Sequence, residues 1–181
     1  MMDLIGTIIE GPTPDEHGDV TFKVRVGDEV VVGVANPCGV GRRGEITRAN
    51  LDTTNAAMRA VQQFVKAHRT QMLTLYREAA RLRRAAGNPA FAGNTRRGSV
   101  RLVGSPTKSA SGSFVFAMRA GATEITILLF AEGGFIDHSN AELSDQDRDE
   151  AFTVCLDYVF AHPNEAAALG MDVVLLDELW R

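Results

Sequence analysis

The sequence is short of most features that would fix a class at once. It has two cysteines, Cys38 and Cys155, in no CxxC or other close pair, which favours reduced thiols over a disulfide framework and offers no thiolate metal site. No cofactor and no metal is therefore expected. No apolar run approaches the ~18 residues of a membrane span. The start, Met1-Met2-Asp3-Leu4, lacks the basic flank and apolar stretch of a secretory signal, so a cytoplasmic location and no membrane partner are expected. Proline and glycine are both missing between Gly44 and Gly87, which leaves nothing local to interrupt a helix there. Trp180 is the only tryptophan, and an edge-packing role suits it better than a site. Hydrophobic residues at 45% and charged residues at 23% are ordinary for a globular protein, so 181 residues can bury a core without staples.

What the chain does have is an echo of itself at a shift of 94 residues. Pro12, Thr13, Gly18, Phe22, Arg25, Gly27 and Gly39 recur as Pro106, Thr107, Gly112, Phe116, Arg119, Gly121 and Gly133. Ala57, Val65, Ala67 and His68 are answered by Ala151, Val159, Ala161 and His162. Eleven identities in the sixty-one positions of 8–68 against 102–162 exceed the roughly four that chance gives at this composition. One structural unit used twice is the expectation.

Each half has the same outline. Leu4 to Glu10 reads as a strand, and Gly11 to Gly18, with two prolines, as a loop. Val20, Phe22, Val24 and Val26 alternate with polar residues, Gly27-Asp28 turns the chain, and Val30 to Val34 returns. The second half repeats this with Val100 to Val103, Phe114 to Met118, Gly121-Ala122 and Ile125 to Phe130. Asp52-Thr53-Thr54 and Ser144 to Asp147 offer helix caps. The first helix is expected over about 53–86, some ~50 Å long. Val61, Val65, His68, Met72, Leu75, Ala79 and Leu82 step by four and three along it, a heptad seam suited to a second helix or a second copy of the chain. Its counterpart stops at Pro163, so residues 69–86 are extra material. A turn of helix over 164–169 and a last strand over Met171–Leu176 complete the chain.

Charge is divided unevenly. Residues 66–101 carry Lys66, Arg69, Arg77, Arg81, Arg83, Arg84, Arg96, Arg97 and Arg101 against the single acid Glu78, a surplus of eight in a chain whose net charge is −4. Acids gather at Glu142, Asp145, Asp147, Asp149 and Glu150. Such asymmetry steers an anionic partner onto the basic segment or docks it on acidic protein surface; a plain solvated helix face is the bland alternative.

Motifs with chemistry are few. Gly39-Val40-Gly41-Arg42-Arg43-Gly44 has the spacing of a phosphate-cradling loop, but Glu45-Ile46-Thr47 follows instead of a helix, so a flexible, Arg-tipped loop is the default. Cys38, beside Arg42 and Arg43, is a candidate nucleophile with no sequence-evident base. His68 and His162 share one helix position without a second ligand at helical spacing, which fits packing or capping, and Asp137-His138 is weak as a general base pair.

The fold class expected is α+β: two repeated β-β-β-α units related by a pseudo-twofold, residues 1–87 and 99–181 joined by a linker over 88–98, with antiparallel strands joined in a sheet and helices on one face of a single compact domain. The order of elements resembles that of the TATA-binding proteins, which also use two repeats of strands followed by a helix, and this implies a nucleic-acid partner. The chain departs from that pattern in being acidic overall and in having strands poor in Lys and Arg. The function expected is a non-enzymatic interaction protein, of bacterial or phage origin from its alanine- and arginine-rich composition. It would bind a protein partner or its own copy, as a homodimer, through Arg69, Arg77, Arg81, Arg84, Arg96 and Arg97. Nucleic-acid binding through 66–101 is the first alternative, and a Cys38-dependent enzyme the second.

Overall fold

In the computed structural model, which describes residues 4–91 and 98–181, the alternating residues of the first half form a four-stranded antiparallel sheet. Its strands are β1 (Gly6–Pro14), β2 (Val20–Val26), β3 (Glu29–Asn36) and β4 (Gly39–Arg42), in that spatial order. Val20, Phe22, Val24 and Val26 point inward and are buried, while Lys23 and Arg25 are exposed on the opposite face. Gly27 at φ 60° followed by Asp28 makes the two-residue β2–β3 turn; with no positive φ at Asp28 this is the type II′ geometry, whose twist matches the strands.

Two helices, α1 (Leu51–Ala67) and α2 (Arg69–Ala85), cover the inner face. Ala56, Ala57 and Val61 of α1 and Met72, Tyr76, Ala79 and Ala80 of α2 close the core over the sheet. The helix lies close where the strand is small: a Cβ on Gly33 would stand 2.9 Å from Val61 Cγ2. The expected N-cap at Asp52-Thr54 is replaced by Asn50, whose Oδ1 accepts the Thr47 N–H at 2.9 Å across a 3-10 turn at Arg48–Asn50.

The second half forms its own sheet from β5 (Val100–Leu102), β6 (Thr107–Lys108), β7 (Phe114–Ala120), β8 (Thr123–Leu129) and β9 (Phe135–Asp137). Helices α3 (Asp145–Ala161), α4 (Pro163–Leu169) and α5 (Val173–Trp180) follow. Phe114, Phe116, Ile125, Ile127, Leu129 and Phe135 pack against Phe152, Cys155, Val159 and Leu176. Ser144 caps α3, its Oγ accepting the Asp147 N–H at 3.1 Å. The chain is thus α+β, in two compact units, Met1–Asn88 and Pro89–Arg181, each with its own sheet where one joined sheet was expected. Asn88 Nδ2 bonds the Glu16 carbonyl at 2.7 Å in the first unit, and Phe91 stacks on Trp180 in the second.

The strand pairing of the two units runs at an offset of 94. Gly6–Val26, Thr7–Arg25 and Ile8–Val24 are answered by Val100–Ala120, Arg101–Arg119 and Leu102–Met118. Thr13–Thr21 and Pro14–Val20 are answered by Thr107–Val115 and Lys108–Phe114. The irregular middle of β1 corresponds to the gap between β5 and β6. All seven pairs of β2–β3 recur in β7–β8, after which β8–β9 slips by one residue. α1 and α3 begin and end 94 residues apart.

Two further expectations are corrected. The single helix over 53–86 is two helices, broken at His68 with φ −123° and ψ 40°. No proline or glycine is involved; a straight helix of ~50 Å would overhang strands of seven or eight residues, about 25 Å long. The break lays α2 against β1 and β2. Met171–Leu176, expected as a strand, belongs mostly to α5. Asp172 caps it by accepting the Leu175 N–H at 3.0 Å, and Leu175, Leu176 and Leu179 are buried along one face.

Candidate functional site

α2 is amphipathic in an uneven way. Met72, Tyr76, Ala79, Ala80 and Arg83 are buried against the sheet, and burial pushes the Tyr76 hydroxyl pKa up to about 12. Arg69, Arg77, Arg81 and Arg84 are exposed. At 3.6 residues per turn the four lie within about 120° of the helix circumference and span some ~22 Å along it. Arg81 lies 3.9 Å from Glu78, the one acid on the helix. Arg96 and Arg97 lie outside the described residues.

Arg83 behaves differently from its neighbours. It is 4% exposed and packs under the β1–β2 connection, where a Cβ on Gly18 would stand 3.2 Å from its Cδ. Desolvation, with the charge of Arg84 adding to it, lowers its pKa. Sequence counted it among the basic residues, yet its position, four after Ala79 and seven after Tyr76, already places it on the buried face.

The expected heptad seam is split. Val61 and Met72 are buried within the first unit and Ala79 with them, Leu75 and Leu82 are half-buried at the margin, and His68 sits at the helix break. The seam is therefore largely consumed by packing on the chain's own sheet.

The glycine-rich stretch is a strand where a loop was the default. Gly39, Val40, Gly41 and Arg42 form β4, pairing with Asn36, Ala35, Val34 and Gly33, and Gly44 follows it at φ 94°. Arg42 Nη1 donates to Thr54 Oγ1 at 2.7 Å, and Arg43 Nη2 donates to Asp15 Oδ2 and lies 3.7 Å from Asp19 Oδ2. Both guanidinium groups are thus engaged by the protein, and α1 begins only at Leu51. Cys38 is exposed at the β3–β4 turn, its N–H donating to Asn36 Oδ1 at 2.9 Å, and Cys155 is buried.

The two equivalent histidines end α1 and α3 packed against an aromatic ring one turn earlier, His162 stacked on it and His68 tilted to it. His68 lies 4.3 Å from Phe64 and His162 4.5 Å from Tyr158, centroid to centroid. Asp137 Oδ1 accepts the Ser139 N–H at 2.9 Å, and its Oδ2 lies 3.7 Å from Arg148 Nε. Among the described residues no group of three or more His, Cys, Asp or Glu side chains is placed to hold a metal ion, and no helix is long and apolar enough to cross a membrane.

One residue of the acidic cluster lies inside the protein. Glu142 and Asp145 are exposed, but Glu150 is 2% exposed. Its Oε1 accepts the N–H groups of Gly98, Ser99 and Val100 at 2.7, 2.9 and 3.1 Å, and its Oε2 accepts the Ser99 hydroxyl. Desolvation works to raise its pKa, and these four hydrogen bonds together outweigh it and hold the carboxyl below its ordinary value. The available signal was the 94-residue offset, which aligns Glu150 with Ala56 beside the shared Ala57 and Ala151. Compared with protein-family models, curated proteins and solved structures, the chain gives no match.

Proposed function

We propose that this chain is a non-enzymatic interaction protein that docks acidic protein surface, first of all a second copy of itself, through the arginine flank of α2. The observation that supports this is the arrangement of Arg69, Arg77, Arg81 and Arg84 as one exposed stripe beside a single acid. The chain itself offers an acceptor in Glu142, exposed just ahead of α3, with Asp145, whose Oδ1 also accepts from Arg148 Nη1 at 2.9 Å, beside it. Long-range attraction between such patches raises association rates and falls with salt.

Duplex binding through the sheets, as the TATA-binding layout implies, has less support. Lys23 is paired with Glu10 at 2.7 Å, Arg119 with Glu124 at 3.2 Å and Arg43 with Asp15, so these cations are already neutralised.

Sedimentation equilibrium over a range of concentrations, at low and high salt, tests the proposal. The expected result is a mass that rises with concentration at low salt and returns to the monomer at high salt or in the Arg77→Glu, Arg81→Glu, Arg84→Glu variant. A monomer under all conditions removes the second copy. If fluorescence anisotropy then finds salt-sensitive binding of duplex DNA or RNA that the variant loses, the stripe serves phosphate and the proposal is overturned.

A further inference from the structure

Two places 94 residues apart have corresponding strand pairing and opposite contents. In the second unit the Glu150 carboxylate fills the space between α3 and the start of β5. The corresponding positions in the first unit are Ala56 on α1 and Leu4, Ile5 and Gly6 entering β1. The ladders have the same parity. The Arg43 N–H bonds the Val32 carbonyl, and the His138 N–H bonds the Thr126 carbonyl. Alternation across each sheet then makes Thr7–Arg25 and Arg101–Arg119 the hydrogen-bonded pairs, and turns the N–H of Gly6, like that of Val100, out of the sheet edge. Among the described residues nothing accepts the Gly6 N–H.

What differs is the side chains. Gly6, Ala56 and Ala60 stand where the second unit has Val100, Glu150 and Val154. The smaller residues leave a cavity of about 360 Å³, lined by Leu4 to Gly6, Ala56, Arg59, Ala60 and Gln63. A Cβ on Gly6 would stand 2.7 Å from the Ala56 carbonyl oxygen, so glycine is what allows helix and strand to approach here. Arg59, exposed on α1, brings Nη2 to 3.4 Å from the Leu4 carbonyl at the cavity. The second unit has Thr153 at that position and no such charge. It has instead Gly98 at φ 123°, which aims an extra N–H at Glu150.

We propose that this cavity binds an aliphatic carboxylate in the place that Glu150 occupies in the second unit. The Gly6 N–H and the Arg59 guanidinium donate to its oxygens, and the half-buried Ala60 accepts its stem. Gln63 supplies a further donor at the rim. The chemistry is that of a glutamate side chain, a charged head on two methylenes, and it is independent of the α2 flank. Its source is either a free short-chain acid or a glutamate carried by another chain.

The test is 1H–15N NMR of the full chain titrated with butyrate in one arm and with a blocked Glu dipeptide in the other. The expected result is saturable movement of the Gly6 amide with a midpoint on the order of 1 mM. Arg59→Ala should weaken it about tenfold, the worth of one charge-assisted hydrogen bond. Ala56→Glu should abolish it by supplying the carboxylate internally, with Gly6 already shifted in the free protein; Ala60→Val, a milder filling, serves if that variant misfolds. Movement with butyrate identifies a free acid, and movement with the dipeptide alone identifies a chain-borne carboxylate; either supports the site. No saturable movement in both arms, or movement that Arg59→Ala and Ala60→Val leave unchanged, overturns it.

Discussion

Replacing Glu150 should cost the second unit more stability than any surface change of charge, and in a pH-dependent way. In Glu150→Ala four donors lose their acceptor at once. Gly98 and Ser99 are exposed, so water replaces the carboxylate there, but Val100 is 4% exposed and its N–H is orphaned. One orphaned buried donor costs about 1–3 kcal/mol, and each of the three exchanges of a hydrogen bond for water about 0.5–1.5, giving a loss of about 3–7 kcal/mol. For a unit of this size each kcal/mol lowers Tm by roughly 4–8 °C. Trp180, the only tryptophan, stacks 5.2 Å from Phe91 in this unit and reports its unfolding by fluorescence. Glu150→Gln keeps an oxygen where Oε1 accepts three N–H groups, but it loses the charge and sets an amide NH2 where Oε2 accepted the Ser99 hydroxyl, so about 1–3 kcal/mol is expected. The sign of the pH effect follows from the lowered pKa. A carboxyl held below its ordinary value of 4.5 contributes stability that is complete above that pH and is lost as pH falls through the folded pKa. The gap between wild type and Glu150→Gln should therefore be constant above pH 4.5 and close below it. A gap that is unchanged or widens on acidification, or a Glu150→Ala variant within about 1 kcal/mol of wild type, would refute the assignment of these hydrogen bonds.

Three other outcomes are expected. Met72→Ala should lose about 2–4 kcal/mol by urea unfolding at high salt, where the arginine flank does not associate, with a midpoint independent of protein concentration; a midpoint that moves with concentration under those conditions would return Met72 to an intermolecular seam. Gly133→Ala should destabilise the second unit by about 1–3 kcal/mol, because Gly133 holds φ 84° and a Cβ would meet Leu179 Cδ1 at 2.6 Å, and it should shift the emission of Trp180, which bonds the Gly133 carbonyl. Cys38 should react with a thiol reagent in the native protein while Cys155, whose thiol pKa burial pushes well up, reacts only in denaturant; equal native rates would contradict the packing.

The features that the sequence determined by itself are those fixed within a few residues. Alternation at Val20 to Val26 gave β2, Gly27-Asp28 its turn, Ser144 the start of α3, and Pro163 the end of that helix, since each rests on local backbone conformation or a near-neighbour hydrogen bond. The basic face of α2 was legible for the same reason, as a matter of helical spacing. What only the tertiary structure decided is where helices meet sheets. The break at His68 has no local breaker and answers to the length of the strands beneath it. Val173-Val174 reads as strand, yet Asp172 and a core that accepts Leu175, Leu176 and Leu179 make it helix. Glu150 carries a charge that sequence assigns to solvent, and packing buries it. The Gly6 cavity is the clearest case. Glycine and alanine at positions 6, 56 and 60 say nothing alone, and acquire meaning only beside the valines and the glutamate that fill the same space 94 residues later, because a cavity is a property of facing surfaces and not of any one segment.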